Sequence, residues 1–130
     1  MTRHRLDELL VQRGLYSSRS RARDAIARGT VTVDGVVAAK PAQNTGLESR
    51  IEILDDARNY VSRSALKLKS GLSFFNITAK GLNCLDIGAS TGGFTQVLLE
   101  AGAQVVYAVD VGHGQLVPEL RADPRVVVHE

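Results

Sequence analysis

Two segments near the amino terminus carry apolar residues at helical spacing. In the first, leucines at i, i+3 and i+4 precede a glycine that can stop a helix; these residues are Leu6, Leu9, Leu10 and Gly14. In the second, two serines precede an apolar stripe that ends before a glycine; these residues are Ser17, Ser18, Ala22, Ala25, Ile26 and Gly29. A serine cap at the start and a glycine at the end of such a stripe predict short amphipathic helices.

The pattern then changes to short runs of β-branched residues. The segment T-V-T-V-D-G-V-V-A places two such runs around Asp34-Gly35, a pair that favours a tight hairpin turn. A further strand is predicted at Arg50–Leu54 and completes the first unit. The polar segment D-D-A-R-N follows, so we place a domain boundary there and predict domains at 1–58 and 59–130.

The second half begins with another helical repeat. Apolar residues at 4-3-4-3 spacing predict a helix whose stripe faces a core, and the stripe consists of Val61, Ala65, Leu68, Leu72 and Phe75. Lys67 and Lys69 flank this stripe on opposite sides. A lysine in such a position usually keeps its ammonium in solvent, and we interpret Lys69 in this way.

A strand–helix–strand pattern follows. The segment N-C-L-D-I-G is typical of a buried strand, with Leu85 and Ile87 on one face and Asp86 on the other. A helix is predicted from Phe94 to Ala101, and the apolar run A-Q-V-V-Y-A-V-D that comes next ends in Asp110. Continuous apolar strands are characteristic of parallel sheets, so this part of the chain predicts a right-handed βαβ unit.

Composition limits the function classes. Hydrophobic residues make up 44% of 130 residues, too many for a disordered chain, and no apolar run approaches the roughly 20 residues that span a bilayer. Cys84 is the only cysteine, which excludes disulfide frameworks and cysteine-built metal clusters. The amino terminus carries no apolar signal segment. We therefore expect a cytoplasmic protein without membrane insertion or a metal site.

The positive charge is concentrated at the amino terminus. Residues 1–40 contain eight Lys and Arg against four acids, whereas residues 61–130 contain six of each. On the second helix, Arg19 and Arg23 flank one side of the apolar stripe and Arg21 and Arg28 the other. None of these arginines has an acid at i+4 to neutralise it, so they form either a solvated helix face or a surface for phosphate groups.

The glycine-rich stretch L-D-I-G-A-S-T-G-G-F-T follows the first predicted strand of the second half. Its spacing differs from the G-x-G-x-x-G of dinucleotide sites. Asp86 beside the loop would repel a pyrophosphate but suit a cationic ligand, and Asp110 could accept hydrogen bonds from ribose hydroxyls. Both features favour S-adenosylmethionine, which carries a sulfonium, an ammonium and an adenosine ribose. The alternative is a βα turn that binds no ligand.

The first half resembles a known RNA-binding domain. The order R-L-D, S-R, an alanine-rich helix and G-T-V-T-V-D-G is similar to the domain named after ribosomal protein S-four, also called the alpha-L motif. The match covers nearly all of residues 4–36. It implies a small α+β domain in which the RNA-facing residues are Ser18, Arg19, Arg21, Arg23 and Arg28.

The whole chain resembles the TlyA family. Y-V-S-R-S-A-L-K-L, D-I-G-A-S-T-G-G-F-T-Q and Y-A-V-D-V-G-H-G-Q-L occur in this order, as in TlyA proteins, often labelled hemolysin A, which resemble FtsJ-type ribose 2′-O-methyltransferases of ribosomal RNA. The resemblance implies an α/β protein with a Rossmann-like class I methyltransferase domain that uses S-adenosylmethionine. It also assigns Lys67 to a catalytic Lys-Asp-Lys-Glu set. The implied cofactor pocket consists of Asp86, Gly88, Ser90, Thr91, Gly92, Gly93, Phe94 and Asp110.

The implied reaction transfers a methyl group to a ribose 2′-oxygen, a poor nucleophile that needs a general base or a nearby cation. The sequence ends at R-V-V-V-H-E, before the remaining Asp, Lys and Glu of the set can be assigned. We therefore expect an incomplete methyltransferase domain, with ribosomal RNA or ribosomal subunits as partner of the full-length protein and no activity in this chain alone. The alternative is a non-catalytic RNA-binding protein with a vestigial Rossmann half.

Overall fold

The computed structural model describes residues 3–130, and the chain forms two compact units, Met1–Asp56 and Ala57–Glu130. This division lies two residues before the boundary that the sequence predicts. Both units mix helices and strands, which confirms the predicted α/β class.

The first unit has two helices and two small antiparallel sheets. Its elements are β1 Arg3–Arg5, α1 Leu6–Gln12, α2 Arg19–Ala27, β2 Val31–Val33, β3 Val36–Val37, β4 Asn44–Gly46 and β5 Ile51–Ile53. One sheet pairs β1 with β4, and the other has the order β3-β2-β5. Both helices, the hairpin and the last strand match the predictions. The short β1 and β4 were not predicted, because polar R-H-R and N-T-G give no alternating apolar signal.

Local chemistry fixes the ends of the predicted elements in this unit. Ser18 caps α2, since its hydroxyl accepts a hydrogen bond from the Arg21 N–H at 3.2 Å. At the hairpin, Asp34 and Gly35 adopt φ of 50° and 84°, the left-handed values that a two-residue primed turn requires. The predicted stripe of α2 is buried against Leu6 and Leu10 of α1.

The second unit is built on a parallel sheet. Its elements are α3 Ser64–Phe74, β6 Asn83–Ile87, α4 Gly93–Glu100, β7 Val105–Val109, α5 Pro118–Arg121 and β8 Val126–His129. The strand order is β6-β7-β8, with both pairs parallel, which confirms the predicted βαβ unit. The carboxyl ends of β6 and β7 therefore lie side by side, and the glycine loop follows β6 at that edge.

The two faces of this sheet differ in burial. Val106 and Ala108 of β7 lie in a core cluster that also includes Leu99 of α4. On the opposite face, Leu85 is 61% and Ile87 78% exposed. The predicted alternation of faces along β6 is therefore confirmed, but the expectation of a buried strand is wrong for this face.

The helix before the sheet begins later than its apolar spacing suggests. Ser64 is the first residue of α3, so Val61 lies outside the helix. Ala65 is fully buried and Leu68 and Leu72 pack beside it, whereas Phe75 is 68% exposed. Placing Phe75 on the core stripe was therefore wrong, because the helix ends at Phe74 and the chain turns away.

Candidate functional site

The glycine loop is tied to the end of the neighbouring strand. Gly88 and Ala89 donate backbone N–H groups to the Val109 carbonyl at 2.7 and 3.0 Å. The Ser90 N–H donates to Asp110 Oδ2 at 2.7 Å, with Ser90 itself at a φ of 53°. Since few non-glycine residues adopt this left-handed conformation, the Asp110 contact helps to keep the loop in one shape.

A cavity of about 390 Å³ opens between this loop and the start of α3. This volume falls within the range of small-molecule sites. The lining residues are Ser62, Ser64, Asp86, Ile87, Gly88, Ala89, Ser90, Thr91 and Phe94. The cavity thus brings together five of the eight residues predicted for the cofactor pocket and adds two serines that the sequence did not single out.

Gly92 and Gly93 do not line the cavity, but their lack of side chains allows the close packing around it. A Cβ atom on Gly92 would meet the side chain of Leu120 and lie 2.7 Å from that of Leu116. A Cβ on Gly93 would meet the Ser62 hydroxyl and lie 2.6 Å from Ser64 Oγ. The absence of side chains here lets α4 begin directly against the serine segment that forms the opposite wall.

Asp86 is the buried charge of the cavity. Its residue exposure is 5%, and its carboxylate accepts a hydrogen bond from the Thr95 hydroxyl at 2.7 Å. Thr95 lies on the first turn of α4 and is fully buried. It therefore orients Asp86, a role that the sequence did not reveal because a threonine in a helix carries no distinctive signal.

Asp110 lies beside the cavity rather than in its wall. The N–H groups of Gly112 and Ser90 donate to its two oxygens, and they hold the pKa of Asp110 below its usual value. The carboxylate is therefore anionic at neutral pH. Each oxygen can accept a second hydrogen bond, so Asp110 retains capacity for a ligand hydroxyl.

Lys67 is exposed on α3, three residues after Ser64 and therefore on the same side of the helix. The described residues provide no hydrogen bond or ion pair for it, and Lys67 does not line the cavity. Ser62 and Ser64, whose hydroxyls lie 2.5 Å apart, are the residues of this segment that reach the cavity wall.

The structure corrects the interpretation of Lys69. Its ammonium donates to the Tyr60 hydroxyl at 2.9 Å, lies 3.7 Å from Glu100 and sits 5.2 Å from the Tyr60 ring centroid. The Tyr60 hydroxyl also donates to Glu100 at 2.8 Å. Lys69 therefore joins the segment before α3 to the end of α4 and is not merely a solvated charge.

The arginines predicted to face RNA have acidic neighbours, contrary to expectation. Arg28 pairs with Asp24, four residues earlier, at 2.9 Å and with Asp55 at 3.0 Å. Its side chain is only 24% exposed, and the Asp55 hydrogen bonds raise its pKa. Arg19 and Arg23 lie 3.6 and 3.9 Å from Asp7, with about half of each side chain in solvent.

The described residues contain no group of His, Cys, Asp and Glu suited to hold a metal ion. Within residues 3–130, no helix has the length and apolar character needed to cross a bilayer.

We predict that Gly93→Ala destabilises the second unit by about 1–3 kcal/mol, because the added methyl collides with the serine segment. The matched control is Gly71→Ala in α3, where a Cβ would meet nothing within 4 Å. This control should stabilise by about 0.5–1 kcal/mol through helix propensity. Urea unfolding followed by circular dichroism measures both, and equal effects of the two substitutions would contradict the packing role of Gly93.

Comparison with known protein families gives a match for each of the two units. The model described as FtsJ-like methyltransferase matches residues 60–130, and the model described as S4 domain matches residues 4–51. The first of these covers more than half of the chain.

The similarity to individual relatives extends over nearly the whole chain. The chain is 50% identical over 98% of its length to the 16S/23S rRNA (cytidine-2′-O)-methyltransferase TlyA of Mycobacterium tuberculosis, covering 48% of that protein. It is 48% identical over 95% of its length to Hemolysin A of Brachyspira hyodysenteriae, covering 51% of it. The chain thus spans about half the length of these curated relatives.

A solved structure agrees with this relationship. A putative hemolysin from Streptococcus thermophilus superposes with a TM-score of 0.58 at 40% identity, covering 98% of this chain and 47% of that one. Together with the glycine loop at the end of β6 and the parallel order of the sheet, these matches identify the chain as a member of the FtsJ-like methyltransferase family that carries an S4 domain, in the manner of TlyA proteins.

Proposed function

We propose that the protein transfers a methyl group from S-adenosylmethionine to a ribose 2′-hydroxyl of ribosomal RNA, and that the first unit binds the RNA. The observation that carries this proposal is the buried Asp86 carboxylate in a cavity beside Asp110 at the carboxyl edge of a parallel sheet. Ligands of open α/β sheets bind at this edge. Several relatives bear names that describe methyl transfer to rRNA, and some of these names specify cytidine.

The chemistry of the cavity fits a cationic nucleoside. A buried carboxylate favours a positive group, and the serine hydroxyls of the cavity wall supply further polar contacts. Asp110, anionic and with spare acceptor capacity, would hold ribose hydroxyls. Phe94, 37% exposed in the cavity wall, offers an apolar surface for a purine. When bound, S-adenosylmethionine supplies an electrophilic methyl group on its sulfonium.

Lys67 would act on the RNA side of the reaction. Its exposure leaves the ammonium able to reach a hydroxyl that approaches the open side of the cavity. A lysine in that position can orient the 2′-hydroxyl and stabilise the negative charge that develops on its oxygen. The serines of the cavity wall lie on the same segment, so α3 would fix the distance between the lysine and the cofactor site.

We predict that Asp86→Asn weakens binding of S-adenosylmethionine by about tenfold or more, because a neutral amide replaces the buried carboxylate that would attract the cationic ligand. Asp123→Asn is the control, since Asp123 pairs with Arg125 away from the cavity. Titration calorimetry measures both. Unchanged affinity in Asp86→Asn would contradict the role given to Asp86, whereas the absence of binding in the unmodified protein would contradict the cofactor assignment and favour a turn that binds no ligand.

We predict that Lys67→Ala abolishes methyl transfer to ribosomal subunits in a protein of the length of its relatives, while binding of S-adenosylmethionine is retained. Lys69→Ala is the matched control on the same helix, because its contacts with Tyr60 and Glu100 are structural. Transfer of a labelled methyl group measures the rate. A rate that Lys67→Ala lowers no more than Lys69→Ala does would remove Lys67 from the mechanism.

The RNA-binding role of the first unit predicts a strong dependence on salt. For single-stranded RNA, each phosphate contact adds roughly −0.7 to the slope of log affinity against log salt. Arg23→Gln should therefore weaken binding of transcribed ribosomal RNA and make the slope shallower by about that amount. Arg50→Gln, at an 81% exposed arginine paired with Glu52, should change neither. A slope near zero in the unmodified protein would contradict RNA binding through phosphates.

A further inference from the structure

The first unit contains a buried carboxylate with an excess of cations. Asp7 lies in α1 with 0% exposure. Arg5 donates to both of its oxygens at 3.1 Å, and the Glu8 N–H donates at 2.8 Å. Arg19 and Arg23 approach the same carboxylate at 3.6 and 3.9 Å. Three guanidinium groups therefore surround one buried negative charge.

Burial alone requires fewer partners than this. A buried carboxylate needs hydrogen bonds and a counter-charge, and Arg5 with the Glu8 N–H supplies both. These contacts also hold the pKa of Asp7 below its ordinary value, with the Arg5 hydrogen bonds as the largest cause. Arg19 and Arg23 are therefore not required to stabilise the buried Asp7 carboxylate, and their approach to it calls for another explanation.

The three arginines face solvent on their other sides. Their side chains are 41%, 49% and 58% exposed for Arg5, Arg19 and Arg23. Arg19 and Arg23 are four residues apart on α2 and so share one side of the helix. A guanidinium has five N–H donors, so each retains donors that point away from Asp7. Arg28 differs, because two aspartates occupy its largely buried guanidinium.

We propose that Asp7 is a positioning residue that holds Arg5, Arg19 and Arg23 together as a preformed site for RNA phosphate groups. The proposal rests on the RNA-binding function proposed for the first unit. An arginine that is already ordered loses less side-chain entropy when it binds a phosphate than a freely rotating one. A carboxylate behind the arginines thus increases affinity for an anion, although its own charge is negative.

Glu8 provides the opposite case within the same cluster. It lies 4.0 Å from Arg5 and 3.7 Å from Arg19, but 46% of its side chain is exposed. Its carboxylate faces the solvent from which a phosphate would approach and competes with that phosphate for the same donors. Adjacent acids of equal charge therefore have opposite effects on RNA affinity: Asp7 supports binding and Glu8 opposes it.

Asp7→Asn and Glu8→Gln test this difference, since each removes one negative charge from beside the same arginines. With transcribed ribosomal RNA at fixed salt, we expect Glu8→Gln to raise the affinity about threefold and Asp7→Asn to lower it about fivefold. Charge alone predicts that both substitutions tighten binding, and that outcome would overturn the positioning role while RNA binding stands. Absence of salt-dependent binding in the unmodified protein would instead overturn the proposed function and this inference with it.

A second pair of variants covers the case in which Asp7→Asn fails to fold, as amide hydrogen exchange in the first unit would show. Arg19→Lys keeps the charge but loses the planar fork that spans Asp7 and Glu8. We expect it to lower RNA affinity about threefold, whereas Arg50→Lys, remote from Asp7 in sequence and paired with Glu52, should leave it unchanged. Equal affinities of Arg19→Lys and the unmodified protein would overturn the proposal.

Discussion

The candidate cofactor cavity depends on a close approach of main chain at the start of α4. Gly92 lies where Leu116 and Leu120 leave no room for a Cβ, and Gly93 lies against the hydroxyls of Ser62 and Ser64. Because α4 can begin so near these serines, the segment before α3 becomes one wall of the cavity and the loop after β6 becomes the other. The same approach places Thr95 beneath Asp86, where its hydroxyl orients the carboxylate.

Three aspartates show how surroundings decide the role of one side chain. Asp86 is buried with a single hydroxyl partner and faces a cavity, which leaves its charge available to a cation. The side chain of Asp55 is 1% exposed, and it accepts hydrogen bonds from Arg28 and from the Tyr16 hydroxyl, so its charge is satisfied within the fold. Burial, together with the Asp55 contact, raises the pKa of Tyr16 to about 12. Asp7 differs from both, because three arginines surround it, which is more than the burial of one carboxylate requires.

Arginine number is consequently a poor measure of an RNA-binding surface. Arg23 lies on α2 and Arg28 directly follows its last residue, and the two look equivalent in sequence. Arg28, however, stabilises the unit through two aspartates, while Arg23 keeps most of its side chain in solvent. Arg5, which the helical pattern did not select, joins the exposed group through Asp7. The phosphate-binding capacity of such a surface depends on which guanidinium groups the fold has already neutralised.

The sequence by itself determined the local elements and their order. Apolar spacing, the Ser18 cap and the Asp34-Gly35 turn are signals within a few residues of one another, so both early helices, the hairpin and the βαβ unit could be predicted. Five residues of the glycine loop region were likewise assigned to a pocket that the structure contains. Contacts between distant residues were beyond such reasoning, and only the tertiary structure decided them. It paired Arg28 with Asp55, set Thr95 under Asp86, drew Lys69 to Tyr60, and left Leu85 and Ile87 exposed on one face of a strand that looked buried. The physical reason is that periodicity specifies which residues share a face, whereas packing across the fold specifies what, if anything, covers that face.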